Sequence, residues 1–291
     1  MISFTRSYPK DKTLLENNIL YEDLFDDVKM TINPKTKEEG YPITSSRSGV
    51  FVTIDKYRAY VNCITKVVKN SFSDKKLRSY ENLSLSDTKT TVDFINGIID
   101  HDDAKLSGVH VGFTIPTTIP GKEIIKMNVL MHKYKYCNHD LVRNKKEYAK
   151  EFVRHNFKIG LYARKDCENK NSLKIELKLN KNAEFKKFQI ISINDLTNKK
   201  KLEELFNLLL KRFDELIIVD IFEPFEGRDY ELLQEFLNYR YWKKLANTSS
   251  RQTQSKHKKK FEALIHRYNL DTKKIELKKE LNKAFTRFIS N

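Results

Sequence analysis

The sequence predicts an α+β fold, a mostly antiparallel central sheet with covering helices, followed by a basic helical C-terminal region. Three observations predict it. Stretches at 49–68, 106–117 and 157–180 alternate apolar and polar side chains with the two-residue period of half-buried strands. Between them, Val92, Phe94, Ile95, Ile98 and Ile99 recur at helical spacing, and residues 199–219, KKKLEELFNLLLKRFDELIIV, form a strongly amphipathic helix with a short apolar end. From Arg228 to the last residue nearly everything has helical periodicity, and 16 Lys and Arg stand against 7 Asp and Glu, a net charge of +9.

Taken in order, residues 1–47 are polar, with turn signals in TINPKTKEEGYP, and read as an N-terminal lead-in with one strand. GVFVTIDKYRAYVNCITKVV is rich in β-branched and aromatic residues and predicts a hairpin. TKTTVDFINGIID follows a polar loop as a helix, with Ser86 or Thr88 as its cap. LSGVHVGFTIPT is the clearest strand of the first half: Val109, Val111 and Phe113 share one face, and Gly108, His110 and Gly112 the other, which suits a cleft wall. KMNVLMHKYKYC is a further strand, and the charged stretch through Lys150 is a helix or a loop. FKIGLY and SLKIELKLN are two strands around a polar loop, and the polar ANTSSRQTQSKH joins C-terminal helices. The expected division is a lead-in over 1–47, a main domain over 48–222 and a basic helical region over 223–291.

Composition narrows the function class. With 39% hydrophobic residues, 18 Phe and 14 Tyr, the chain folds rather than remaining disordered. A formal charge of +16 fits a polyanionic partner, nucleic acid first, better than a neutral metabolite, although a Lys- and Asn-rich composition also follows from an AT-rich genome. Cys63, Cys137 and Cys167 form no C-x-x-C pair, which signals neither a disulfide framework nor a thiolate zinc site. The start, MISFTRSYPKDKTLL, lacks a signal-peptide layout, and no apolar run approaches the ~20 residues that span a bilayer. A bacterial cytoplasmic protein without membrane attachment is expected. No G-x-G-x-x-G or Walker-type loop is present, so a nucleotide or other small-molecule substrate is not expected.

Tyr162 is the first candidate for chemistry. A tyrosine attacking a phosphodiester must lose a proton from a phenol of pKa about 10, so it needs a nearby base or cation and a group that polarises the phosphate. Arg164, Lys165 and Lys174 offer cations and Glu176 an oxygen ligand. The plain alternative is a tyrosine ending an edge strand with its hydroxyl in water. His110 is a second candidate, against the ordinary role of a structural strand histidine; it has no partner histidine two positions away. His132, His139, Asp102 and Asp103 are further ligand candidates, and Tyr134, Tyr136 and Tyr148 are competing nucleophiles, Tyr148 as an exposed helical residue.

The order and spacing of LSGVHVGFTIPT, FKIGLYARKD, SLKIELKLN, ISINDLTNKKKLEELFNLLLKRFDELIIVD and FLNYRYWKKL resemble the phage and plasmid replication initiators related to the filamentous-phage gene II protein, over roughly residues 45 to 245. The resemblance implies a rolling-circle initiator, a single-strand endonuclease and strand transferase that uses divalent Mg or Mn to nick an origin. It keeps the 5′ phosphate on a tyrosine and leaves a 3′ hydroxyl. Tyr162 would be the nucleophile, Lys165 would stabilise the phenolate or the phosphate, and Glu176 and His110 would bind the metal. His110 stands where relatives carry an acid and Lys174 where they carry arginine, and Lys165 falls one residue late, leaving Arg164 as its substitute. The implied partners are origin DNA, single-stranded or hairpin, and host replication proteins. Arg164, Lys174, Arg240, Lys243, Lys244, Lys258, Lys259 and Lys260 would contact DNA, with Tyr239, Tyr241 and Trp242 available for stacking; core packing is the better reading for Trp242. Two other classes stay open: a non-catalytic DNA-binding protein, and a basic RNA-binding protein.

Overall fold

A computed structural model describes residues 1–21, 25–32, 34–36, 39–74, 76–78, 81–98, 104–131, 139–143, 147–164 and 171–291. The strands are β1 (Ile2–Tyr8), β2 (Asp26–Ile32), β3 (Glu39–Arg47), β4 (Val50–Ile54), β5 (Ala59–Cys63), β6 (Lys105–Pro116), β7 (Asn128–Met131), β8 (His139–Arg143), β9 (Glu147–Val153), β10 (Phe157–Arg164), β11 (Ser172–Leu179) and β12 (Leu216–Val219). The helices are α1 (Lys12–Tyr21), α2 (Thr65–Phe72), α3 (Leu85–Ile98), α4 (Gly121–Lys126), α5 (Lys199–Asp214), α6 (Arg228–Leu237), α7 (Tyr239–Thr248), α8 (Arg251–Arg267) and α9 (Thr272–Ser290). The α+β class expected from the sequence is the class observed. The division is different. Two compact units are built from discontinuous segments, the first from Met1–Gly112, Leu177–Asn207 and Phe285–Asn291, the second from Phe113–Glu176 and Leu208–Ala284.

In the first unit the strand order is β2-β3-β4-β5-β1-β6, followed by the end of β11. Residues 1–47, expected as a lead-in, supply three strands, and β1 lies between β5 and β6, antiparallel to both. The alternation in these strands is one-sided: Val50, Val52, Ile54, Ala59, Val61, Cys63, Thr5 and Ser7 are buried on one face. Val68 of α2 and Thr88, Thr91, Val92 and Ile95 of α3 are buried with them. Ser84 caps α3 by accepting from Asp87 N at 3.0 Å, while Asp87 accepts from Ser84 N at 3.0 Å. The reciprocal pair replaces the expected Ser86 or Thr88 cap. The β3–β4 turn needs Gly49 at φ +89°, and a Cβ there would stand 2.8 Å from Val67, so backbone and space both exclude a larger residue.

In the second unit the start of β11 is followed by β10, β9 and β8, and β7 pairs with β12 in a separate two-stranded ladder. The stretch before Lys150, expected as helix or loop, is β8 and β9, so Tyr148 sits in a strand. Phe157, Ile159, Leu161 and Ala163 form the apolar face of β10, and Arg212 of α5 lays its guanidinium 4.3 Å from the Phe157 ring centroid while bonding Glu215 at 2.9 Å. The C-terminal helices are no separate region. Leu233, Phe236, Trp242, Leu245, Phe261, Leu264, Ile265 and Leu270 share one core with Leu130, Ile217 and Val219 of the β7–β12 ladder. Most of the expected linker is helical, because Asn238 accepts from Arg240 N at 3.0 Å and Ser250 from Thr253 N at 3.2 Å, capping α7 and α8.

Candidate functional site

The site grows from the pleat of β10. Lys158, Gly160 and Tyr162 share the face opposite the apolar one, and the antiparallel register sets Gly160 across from Glu151 and Tyr162 across from Ala149. The ring of Tyr162 lies back over Gly160, where any Cβ would fall within 3 Å of the phenol ring. Glycine at 160 and alanine at 149 leave the groove that the ring fills. Tyr162 Oη thereby donates a hydrogen bond to Glu151 Oε1, and Lys158 Nζ lies 3.2 Å from Glu151 Oε2. Tyr162 is 5% exposed and Glu151 7%. A phenol, a carboxylate acceptor and an ammonium thus stand in a row with little water around them.

The other predicted residues divide as follows. Glu176, 4% exposed, is on the polar face of β11, its Oε1 2.5 Å from Lys174 Nζ, so the carboxylate is held by an ammonium. His110 belongs to the first unit, where its ring packs on Phe4 with centroids 4.6 Å apart. Lys165 and the side chain of Arg164 lie outside the described residues, as do Asp102, Asp103, His132, Tyr134 and Tyr136 and the side chain of His139. Among the described residues no group of three or more His, Cys, Asp or Glu is placed to hold a metal. His110 and Glu176, the metal ligands that the resemblance implies, thus belong to different units. Arg240, Lys243, Lys244, Lys259 and Lys260 are exposed on α7 and α8; Lys258 is half-buried, and burial lowers its pKa. Trp242 is a core residue, its Nε1 donating to Phe236 O at 2.6 Å, and Tyr241 bonds His257 Nδ1.

Sequence reasoning missed Glu151 and Lys158. One signal was available: a glycine two positions before a tyrosine in an alternating strand marks room for the ring to lie along that strand.

Lys150 was missed as well. It faces the apolar side of β9, opposite Leu161, with its Nζ 3.2 Å from Met127 O, and burial pushes its ammonium down to about 8. Between about 8 and the ordinary lysine value the unfolded chain binds the proton that the folded chain has lost, so stability rises with pH through that window. Thermal unfolding should show a midpoint that climbs from about pH 8 to about pH 10.5, and Lys150→Met should flatten the climb. A climb of the same size in the variant assigns it to other groups.

No protein-family model matches the chain, and a comparison with curated proteins finds no significant relative. No helix of the described residues is long and apolar enough to cross a membrane.

Proposed function

We propose that this protein binds DNA and nicks one strand by transesterification to Tyr162, as a replication initiator does. The observation that carries the reading is the hydrogen bond from the Tyr162 phenol to the buried carboxylate of Glu151. A neutral phenol is a poor nucleophile at neutral pH; a carboxylate already accepting its hydrogen bond takes the proton as the oxygen attacks. The phenol oxygen forms a bond to phosphorus, the bond from phosphorus to the 3′ oxygen breaks, and the strand is left with a free 3′ hydroxyl and a 5′ phosphotyrosine. Because the phosphodiester energy is conserved in that link, the reverse attack reseals a strand without a nucleotide cofactor. Lys158, ion-paired to Glu151 at 3.2 Å, holds the carboxylate in place beside the phenol. In the described form the phenol rests on its base, and a phosphate reaches it when the side chain rotates away from Gly160.

The fivefold cationic surface of Arg240, Lys243, Lys244, Lys259 and Lys260 supports a nucleic-acid partner, through phosphate contacts that release counterions. A second reading, a DNA-binding protein without chemistry, is favoured by the 5% exposure of Tyr162. The deciding experiment incubates the protein with end-labelled single-stranded and hairpin oligonucleotides, with Mg²⁺, with Mn²⁺ and with chelator, and looks for a labelled band that survives denaturing electrophoresis. A band on Tyr162 supports the nicking reading. Tight binding without a covalent band under any of the three conditions selects the second.

A further inference from the structure

We propose that the open face of β1, β4, β5 and the first unit's part of β6 is a stacking platform for single-stranded nucleic acid. The proposal deepens the reading above by assigning a surface and a strand form to the partner, and it stands apart from the chemistry of Tyr162.

The pleat that buries Val50, Val52, Ile54, Val61 and Cys63 turns Phe51, Thr53, Tyr60 and Asn62 outward, and two of these are aromatic. Phe51 of β4 is 41% exposed and Tyr8 of β1 36% exposed, and Phe4 and Tyr60 are half-buried beside them. The register ties them into one surface: Phe51 is opposite Asn62, Asn62 is opposite Arg6, and Phe4 is opposite His110. Tyr8 meets Tyr60 edge-on with centroids 6.4 Å apart. Arg6 lies between the rings, its Nε donating to Asn62 Oδ1 at 2.7 Å and its guanidinium carbon 5.5 Å from the Tyr60 centroid. The guanidinium is fixed in place and still exposed.

Charge selects the occupant. The segments ISFTRSY, VFVTI, AYVNC and KLSGVHVG, which supply β1, β4, β5 and the first unit's part of β6, contain no Asp or Glu, in a chain that has 39 of them. Their charged side chains are the exposed Arg6 and Lys105. Over these four strands the exposed rings stand with the fixed guanidinium of Arg6 and no carboxylate, the first on the same cross-strand row being Asp26 of β2, two strands beyond Phe51; such a surface repels neither a phosphate backbone nor a base, and unpaired bases stack on aromatic side chains irrespective of sequence. A duplex keeps its base faces inside the stack and offers this surface only phosphates. An acidic protein partner would need more cations than two on this face, and an apolar one would not need a fixed guanidinium.

The test is anisotropy of a labelled oligothymidylate with the full chain at one ionic strength, in a Tyr162→Phe background that removes covalent chemistry. Phe51→Ala and Tyr60→Ala are each expected to weaken binding about fivefold or more, the range for loss of one base–ring stack. Phe51→Leu, which keeps apolar area on an exposed position, should weaken it as well. Heparin, a polyanion without bases, should be bound equally by all of them. Wild-type affinity for the oligonucleotide in both ring variants overturns the proposal, and so does an equal loss of heparin binding. Concentration-dependent dimers that vanish in Phe51→Ala would also overturn it, assigning the face to a second copy of the chain. Failure of the nicking reading looks different: no covalent band from the wild type, with ring-dependent binding intact.

Discussion

Tyr162→Phe is expected to abolish the covalent protein–DNA band while leaving oligonucleotide affinity within about twofold, because the change deletes one hydroxyl and leaves the ring in its groove over Gly160. Glu151 keeps Lys158 as a partner at 3.2 Å, so the variant should stay folded. Glu151→Gln gives the complementary result. It keeps the shape and an oxygen that accepts the phenol's hydrogen bond but has no appetite for the proton, so band formation should fall by about 10²–10⁴-fold. Raising the pH toward the ordinary phenol range near 10 should restore part of that loss, since deprotonated tyrosine needs no base. A band that persists in Tyr162→Phe and disappears in Tyr148→Phe would move the nucleophile one strand over, to β9.

Trp242→Ala should be the most damaging change in the helical part of the molecule. The indole is packed against Phe236 and Phe261, with ring centroids 5.4 and 5.8 Å away, and donates to Phe236 O. Truncation removes the ring, opens a cavity and orphans a buried carbonyl, for a loss of about 3–5 kcal/mol. Denaturant unfolding should show it as a lower midpoint. DNA affinity should drop together with stability, because the exposed cations of α7 and α8 are carried by helices that this core positions. Lys259→Gln, which touches no core atom, should lower affinity and the salt slope by close to one phosphate contact without moving the midpoint. Removing everything after Pro224 would take away most of the core that also holds Leu130, Ile217 and Val219, so misfolding of the second unit is the expected outcome.

The strands β4, β6, β10 and β11 were legible because each buries one apolar face, which writes the pleat directly into the alternation. The chain EYAKEFV hid its strand. Lys150 and Glu151 are buried there by partners distant in sequence, a carbonyl at Met127 and a phenol at Tyr162, and their charge reads locally as helix or loop. For the same reason Tyr162 and Glu176 were recognisable as candidates while Glu151, which accepts the phenol's hydrogen bond, was not. His110 and Glu176, paired by motif order, fall in different units, where one packs on Phe4 and the other is bonded to Lys174. The two units were illegible for a different reason. Local periodicity carries no mark of which distant segments will share a core.

The discontinuous build of the first unit has a consequence for the nascent chain. Phe206, buried, stacks on Phe285 with centroids 4.0 Å apart and near-parallel rings, and Phe288 is buried close by. A ribosome that has finished the N-terminal sheet and reached Asn207 has not yet made either partner ring. The sheet therefore waits, with its last apolar seam open to water, while the whole of Leu208–Ala284 is synthesised. Folding one domain after another during translation is closed to this architecture. Closure of the first unit waits until Phe285 has been made, and a stall before Phe285 leaves a product whose exposed seam is the kind of surface that chaperones and proteases recognise.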